Sequence, residues 1–361
     1  MSNFVNKQST RRKTKRTRNA KESNKENVNN EEETTLINKI LNVGSKISHY
    51  KIIFLPEEND LDPIKSIFSK EEWIKLKVDW CETEKELSIP LDSGISEDTK
   101  VLLKIFSRDW PREWIQSVYK AFLLCFQLPV NPLHDRNLSE YAYRDRIVNR
   151  LIEDIFLDAN NAINMRTGEI ENTDRKVQKN LKRSPEQKRA IGWSHDALLM
   201  IKVNSSDRPV GFGEVVGNAC YHNDKKMTDN REKILISMQL GFSKLQQILE
   251  KRGADKEGFK NIETFGILVY KRDFYFYVMH YVNGLYLVNK FDEFAIPDNV
   301  TQFSELSDII KILFAFKHRV IQLHLRIQNL LKGKCRNQQE PHHTGETVTI
   351  ASLKGKRRRC S

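Results

Sequence analysis

Asp196 and Glu214 are the residues of this sequence whose setting most clearly calls for chemistry. Each is the single carboxylate of an apolar run, the first spanning residues 192–203 (Gly-Trp-Ser-His-Asp-Ala-Leu-Leu-Met-Ile-Lys-Val) and the second 211–217 (Gly-Phe-Gly-Glu-Val-Val-Gly). Both runs read as strands. An Asp or Glu persists inside a buried strand when its charge is paired or holds a cation, because an isolated buried charge is very costly. Mg²⁺ prefers hard carboxylate oxygens, and adjacent strands about 4.8 Å apart bring two such groups within reach of one ion.

The elements around these strands decide what else they meet. Strand alternation puts Asp196 on a face with Leu198, Met200 and Lys202, and turns His195 the other way as a satisfied core histidine. Glu214 shares its face with Phe212 and Val216. Both faces of each strand are largely apolar, which predicts a sheet covered by helices on both sides. Upstream, Ser139 is a fitting N-cap for a helix running to about Leu157, with Ile147, Val148, Leu151, Ile152, Ile155 and Phe156 as its buried stripe. Glu140 and Arg144 fall at the edge of that stripe or within it; Glu153 points away. Residues 160–189 are polar, carry Gly168 and Pro185, and read as a long loop. Downstream, a helix is predicted from Arg231 to Leu249, with Arg231 on its buried stripe in the first turn. Strands follow at Thr264–Val269, Phe274–Val282 and Leu285–Val288, with a turn at 271–273, and a closing helix spans Phe303–Leu331.

This pattern of helix, strands, helix and strand resembles the PD-(D/E)xK nuclease-like superfamily. It is closest to a large family of early-diverging filamentous fungi that opens with an Asn-Leu-Ser-Glu-like segment, here Asn137-Leu138-Ser139-Glu140, and carries a Gly-Glu-Val-like strand, here Gly213-Glu214-Val215. The likeness covers roughly residues 137–331. It implies an α/β fold with a restriction-endonuclease-like core, a central mixed sheet flanked by helices. It also implies a divalent-metal-dependent phosphodiesterase acting on DNA or RNA, with Asp196, Glu214 and Glu140 around Mg²⁺ or Mn²⁺. The superfamily places a lysine two residues after the strand Glu, where it stabilises developing negative charge.

Here that position is Val216, which has neither charge nor donor. Arg144 and Arg231 are the replacement cations best placed to neutralise a phosphate, although guanidinium stays protonated and makes a poor base. Three readings stay open. The carboxylates form a metal-dependent nuclease site, or a buried ionic cluster with Arg144 and Arg231, or the remnant of such a site in a nucleic-acid-binding or protein-interaction module.

Composition bounds the rest. The chain has 361 residues and a net charge of +12. Residues 1–35 carry nine Lys/Arg against five Glu, and 332–361 carry eight against two, so the middle holds only +2. The tails read as disordered and basic, and residues 11–18 and 354–359 have the character of nuclear-import or phosphate-seeking clusters. No apolar run is long enough for a membrane span, and the start of the chain has no secretory h-region, so an intracellular and possibly nuclear protein is expected. Five scattered cysteines read as reduced thiols. Residues 36–136 read as a helical preface with Pro63, Ser96 and Pro111 near helix starts, and with Trp73, Trp80, Trp110 and Trp114 in its core. Cys335, His342, His343 and Cys360 have metal-ligand types at irregular spacing, and no Ser/His/Asp set is evident.

Overall fold

A computed structural model describes residues 37–43, 47–56, 64–87 and 110–332, apart from 182, 185, 255 and 256. The tail clusters, Pro63, Ser96 and the Cys/His set near the C-terminus lie outside the described residues.

The protein is an α/β fold built on one seven-stranded mixed sheet, as the strand patterns predict. The strands are β1 (Ile52–Phe54), β2 (Ile163–Glu171), β3 (Ser194–Val203), β4 (Ser206–Val216), β5 (Thr264–Tyr270), β6 (Asp273–Val282) and β7 (Leu285–Ala295), in the spatial order β1-β7-β6-β5-β4-β3-β2. The β1/β7 and β4/β5 pairs are parallel and the others antiparallel. The helices are α1 (Lys70–Leu87), α2 (Trp110–Gln127), α3 (Glu140–Tyr143), α4 (Asn149–Ile152), α5 (Thr173–Asn180), α6 (Asp224–Lys251) and α7 (Leu306–Lys332). Residues 36–136 thus contribute the edge strand β1 as well as helices.

The central strands are apolar on both faces because both faces are covered. Gly266 of β5 lies under α6, and a Cβ there would sit 2.6 Å from Ile234 Cγ2 and 2.9 Å from Met238 Sδ, so the close helix–sheet approach requires glycine. Its neighbour Phe265 points the other way and meets Phe316 of α7 edge-on at 5.5 Å between centroids. Phe276 of β6 joins the same aromatic layer at 5.1 Å from Phe316. The N-terminal helices dock on this body through their tryptophans: Trp114 is buried on α2, and its Nε1 donates to the Arg150 carbonyl at 2.9 Å. Pro111 occupies the first turn of α2, where a missing N–H costs nothing.

Three expectations need correction. The loop expected at 160–189 contains strand β2 and helix α5. Because β2 is the sheet's edge, only Ile163 and Met165 are buried while the remainder alternates with polar residues, and Gly168 at φ +116° interrupts its pairing between Thr167 and Ile170. The single helix expected over 139–157 is segmented. Ser139 does cap it, accepting from Ala142 N at 3.1 Å, but α3 passes into a π-helical turn at Arg144–Val148, then α4, then a 3₁₀ stretch at Asp154–Ala159. π turns within helices are often found at functional sites. The helix after β4 also begins earlier than Arg231, at Asp224, because Asn223 caps it by accepting from Lys226 N.

A buried ion network ties α1 and α7 to the sheet. Arg319 of α7 grips Glu84 of α1 at 2.5 and 2.7 Å and Glu263 at 2.8 and 3.0 Å, while His280 of β6 reaches Glu84 at 2.8 Å. Burial alone would raise the Glu84 carboxyl, but the hydrogen bonds from Arg319 and His280 outweigh it and hold the group at about 2, below its ordinary 4.5. A carboxyl lowered in the folded state stabilises the fold above its unfolded value and loses that contribution as pH falls through the folded one. Glu84→Gln should therefore cost up to about 3 kcal/mol at neutral pH. Denaturant unfolding of wild type and variant from pH 7 to 2 checks this: the gap should shrink below pH 4.5 and close near pH 2.

Candidate carboxylate site

β3 and β4 are adjacent and antiparallel, and their ladder ends at the Ala197–Gly213 pair, one step before Asp196 and Glu214. At this end, three carboxylates from three elements come together, each with its own cation. Arg144, buried in the π turn, donates to Asp196 Oδ1, and Val215 N donates to Asp196 Oδ2 at 2.8 Å. Glu214, 4% exposed, takes Lys233 Nζ on both oxygens at 2.7 and 2.8 Å and His195 Nδ1 on Oε1 at 2.5 Å. Glu140 Oε2 accepts from Gly217 N at 2.6 Å and from Lys226 Nζ at 2.9 Å.

The backbone after β4 holds Glu140 in place. Gly217 has φ +73°, a conformation that favours glycine, and its N–H is thereby presented to Glu140. Asn218, nearly sealed from solvent, donates to the carbonyls of Leu138 at 2.6 Å and Arg136 at 3.2 Å, which fastens the start of α3 to the end of β4. The helix carrying Glu140 and Arg144 is thus registered against both strands.

Crowding shows in the proton affinities. Burial first, and then the Glu214 charge, push the Asp196 carboxyl above its ordinary value against the pull of Val215 N–H and Arg144. Desolvation would lower the Lys226 ammonium, but its bond to Glu140 outweighs this and holds it above its ordinary value. Both groups also feel the negative charge of the neighbouring carboxylates, which raises each of them.

The structure brings Glu140, Arg144, Asp196 and Glu214 together and leaves Arg231 elsewhere. Its guanidinium lies over the Phe54 ring, 5.0 Å from the centroid, so it reaches toward β1 rather than the carboxylates. Lys226 and Lys233 take the place foreseen for it. Lys226 precedes the predicted start of that helix at Arg231, whereas Lys233 falls inside the predicted helix as a polar residue that nothing in the spacing singles out; seven residues apart, they lie on one stripe with Ser237 one turn further on. His195 is the satisfied core histidine that the sequence predicts, buried and with both ring nitrogens partnered, although alternation did not show its partner. Strict alternation turns it away from Glu214, yet it bonds Glu214 because ladder pairing with β4 has stopped and β2 shifts register opposite this stretch.

His195 Nε2 also lies 2.9 Å from Ser237 Oγ, which makes a Ser–His–Glu series that sequence spacing did not show. Such a relay serves acyl transfer when the serine is reachable. Ser237 is fully buried in the middle of α6, so here the series satisfies buried polar groups.

A resident divalent cation needs carboxylate oxygens turned toward it. Both oxygens of Asp196 and of Glu214 instead accept from protein donors, and among the described residues no three His, Cys, Asp or Glu side chains form a metal-ligating group. As placed, these residues do not fit Mg²⁺ or Mn²⁺. No family model, curated protein or solved structure matches the chain. Among the described residues, no helix is long and apolar enough to cross a membrane.

Lys233 should matter through Glu214. Lys233→Met leaves a buried carboxylate without its cation and should destabilise the fold by about 3 kcal/mol, whereas adding Glu214→Gln should recover more than half of that loss. Chemical denaturation of wild type, both single variants and the double variant measures the coupling; additive losses would mean the pair is not coupled.

Proposed function

We propose that this chain is a nuclease-like protein that binds nucleic acid through a fold derived from a divalent-metal phosphodiesterase, with its carboxylate site neutralised by internal cations. The observation that carries this reading is the one-to-one pairing of Glu140 with Lys226, Asp196 with Arg144 and Glu214 with Lys233. A site that bound a resident metal would gain from unpaired carboxylates, whereas this one has lost the strand lysine at Val216 and acquired helix lysines that satisfy the same charge. The element order supports the derivation: α3 with its π turn and α4, then β2, β3 and β4, then α6 and β5 follow the helix, three-strand, helix, strand order of the PD-(D/E)xK superfamily, with α5 inserted between β2 and β3. An interaction with DNA or RNA suits the basic balance of the whole chain.

One observation favours a catalytic reading. Burial, and after it the Glu214 and Glu140 charges, hold Asp196 above its ordinary proton affinity, and a cation would relieve the part due to charge. In that reading Asp196, Glu214 and Glu140 would be the residues to hold Mg²⁺ or Mn²⁺, which would supply Lewis-acid polarisation of a phosphodiester, and Lys233 would serve in place of the missing strand lysine.

The two are separated by one pair of measurements on the full chain. Binding of labelled DNA and RNA in EDTA should be detectable and should weaken on the order of 50-fold between 50 and 200 mM salt, as expected for about four phosphate contacts. Incubation with Mg²⁺ or Mn²⁺ should leave the nucleic acid intact. Absence of binding would overturn the nucleic-acid reading; cleavage that Asp196→Asn and Glu214→Gln both abolish would replace the non-catalytic reading with the catalytic one.

A further inference from the structure

The connection from β2 to β3, residues 171–193, holds the positive charge of the folded region. It carries seven Lys/Arg against three Asp/Glu, net +4, while residues 36–331 together carry +2, leaving −2 for everything else in that range. The segment begins beside the carboxylate site, since Glu171 pairs with Ser194, two residues before Asp196.

These cations stand on a braced support. Asn172 caps α5 by accepting from Arg175 N at 3.1 Å, and the Asn180 side chain exchanges two hydrogen bonds with Ala190 at 2.8 and 2.9 Å. Lys179 Nζ donates to the Ile191 carbonyl at 3.1 Å, and Gly192 N donates to Glu171 at 2.8 Å. The Trp193 ring carries the Arg175 guanidinium 4.4 Å and the Lys179 ammonium 5.5 Å from its centroid. Lys176, Arg183, Lys188 and Arg189 are exposed around this support. Desolvation, and then the like charges of Arg175 and Arg183, push the Lys179 ammonium below its ordinary value, so an anion bound here would be stabilised.

Behind α5 lies a cleft of about 500 Å³ between this helix and α6, lined in part by Val177, Leu181, Gln239, Lys244 and Gln247. Gln239 has its buried Oε1 without a hydrogen-bond donor. Val177 and Leu181 are apolar and exposed, but they border a concave, amide-rich cleft. An unpaired base offers N–H donors and a flat apolar face to such a cleft.

Resting on the nucleic-acid reading above, we propose that α5 and the cleft behind it bind single-stranded nucleic acid, with phosphates on the exposed cations and one unpaired base in the cleft. The base must be unpaired because a duplex keeps its bases stacked and out of reach. Phosphate contacts at Lys176, Arg183, Lys188 and Arg189 would lead a strand toward the end of the sheet where the carboxylates lie.

The test uses the full chain and fluorescence anisotropy with an oligouridine RNA, an oligothymidine DNA, a DNA duplex and, separately, sedimentation with phosphatidylserine vesicles. Wild type should prefer either single strand to duplex. Arg183→Glu/Lys188→Glu/Arg189→Glu should weaken single-strand binding at least tenfold and lower the salt slope by about 2, and Leu181→Trp, which fills the cleft, should reduce the preference for single strands. Ultraviolet cross-linking of wild type to the RNA, read by peptide mapping, should mark residues 171–193. Wild-type binding that both variants retain, or cross-links confined to the tails, overturns this site while leaving the nucleic-acid reading standing. Binding to vesicles alone overturns both.

Discussion

Glu214 sits almost sealed in the sheet, and the molecule is arranged to keep its charge there. An unpaired carboxylate at that depth would cost several kcal/mol. Lys233 reaches it from α6 on one side and His195 from β3 on the other, so strand, neighbouring strand and covering helix are tied at one point. Ser237 continues the tie to the next turn of α6. Once α6 is fixed in this way, Lys226 at its start faces Glu140, and Gly217 and Asn218 fix α3 against the end of β4. Arg144 then lies on Asp196. The carboxylate cluster and the packing of two helices on the sheet are consequences of the same buried charge.

Charge is sorted by depth elsewhere in the molecule as well. Arg319, Glu84 and Glu263 form a closed network holding α1 and α7 on the sheet. Asp158 and Lys317 form a second sealed pair, with both carboxylate oxygens 2.6 Å from the ammonium. In these networks the buried carboxylates are paired with cations of the protein, which holds helices in position. The segment 171–193 differs from them in keeping most of its cations at the surface, which suits contact with a polyanion.

Much of the fold was legible because its central strands are apolar on both faces and its helices carry clear stripes. Asp196 and Glu214 were visible as lone carboxylates in such strands, and their adjacency follows from the short turn between β3 and β4. The edge strand β2 was hidden because an edge exposes half its residues and so reads as polar loop. The π turn was hidden because Arg144 and Ile147 fit an α-helical stripe equally well. Lys226 was missed through the start of α6: Asn223 is a good N-cap, but the polar run after it lacks the apolar spacing that announces a helix. Lys233 lay within the predicted helix, and nothing in its spacing marked it as the partner of Glu214. His195 was legible as a satisfied core histidine, but its partner Glu214 was not, because period-two alternation holds only while the ladder continues. Nothing in the sequence pattern marks where the ladder stops.

The account turns on whether the carboxylates answer to protein cations or to a metal. Titration of the full chain with Mn²⁺, followed by electron paramagnetic resonance of the free ion, addresses this directly when wild type is compared with Asp196→Asn and Glu214→Gln. The account predicts that the two variants bind as much Mn²⁺ as wild type, because neither carboxylate is available to the ion. One tightly bound ion per chain that disappears in both variants would contradict it.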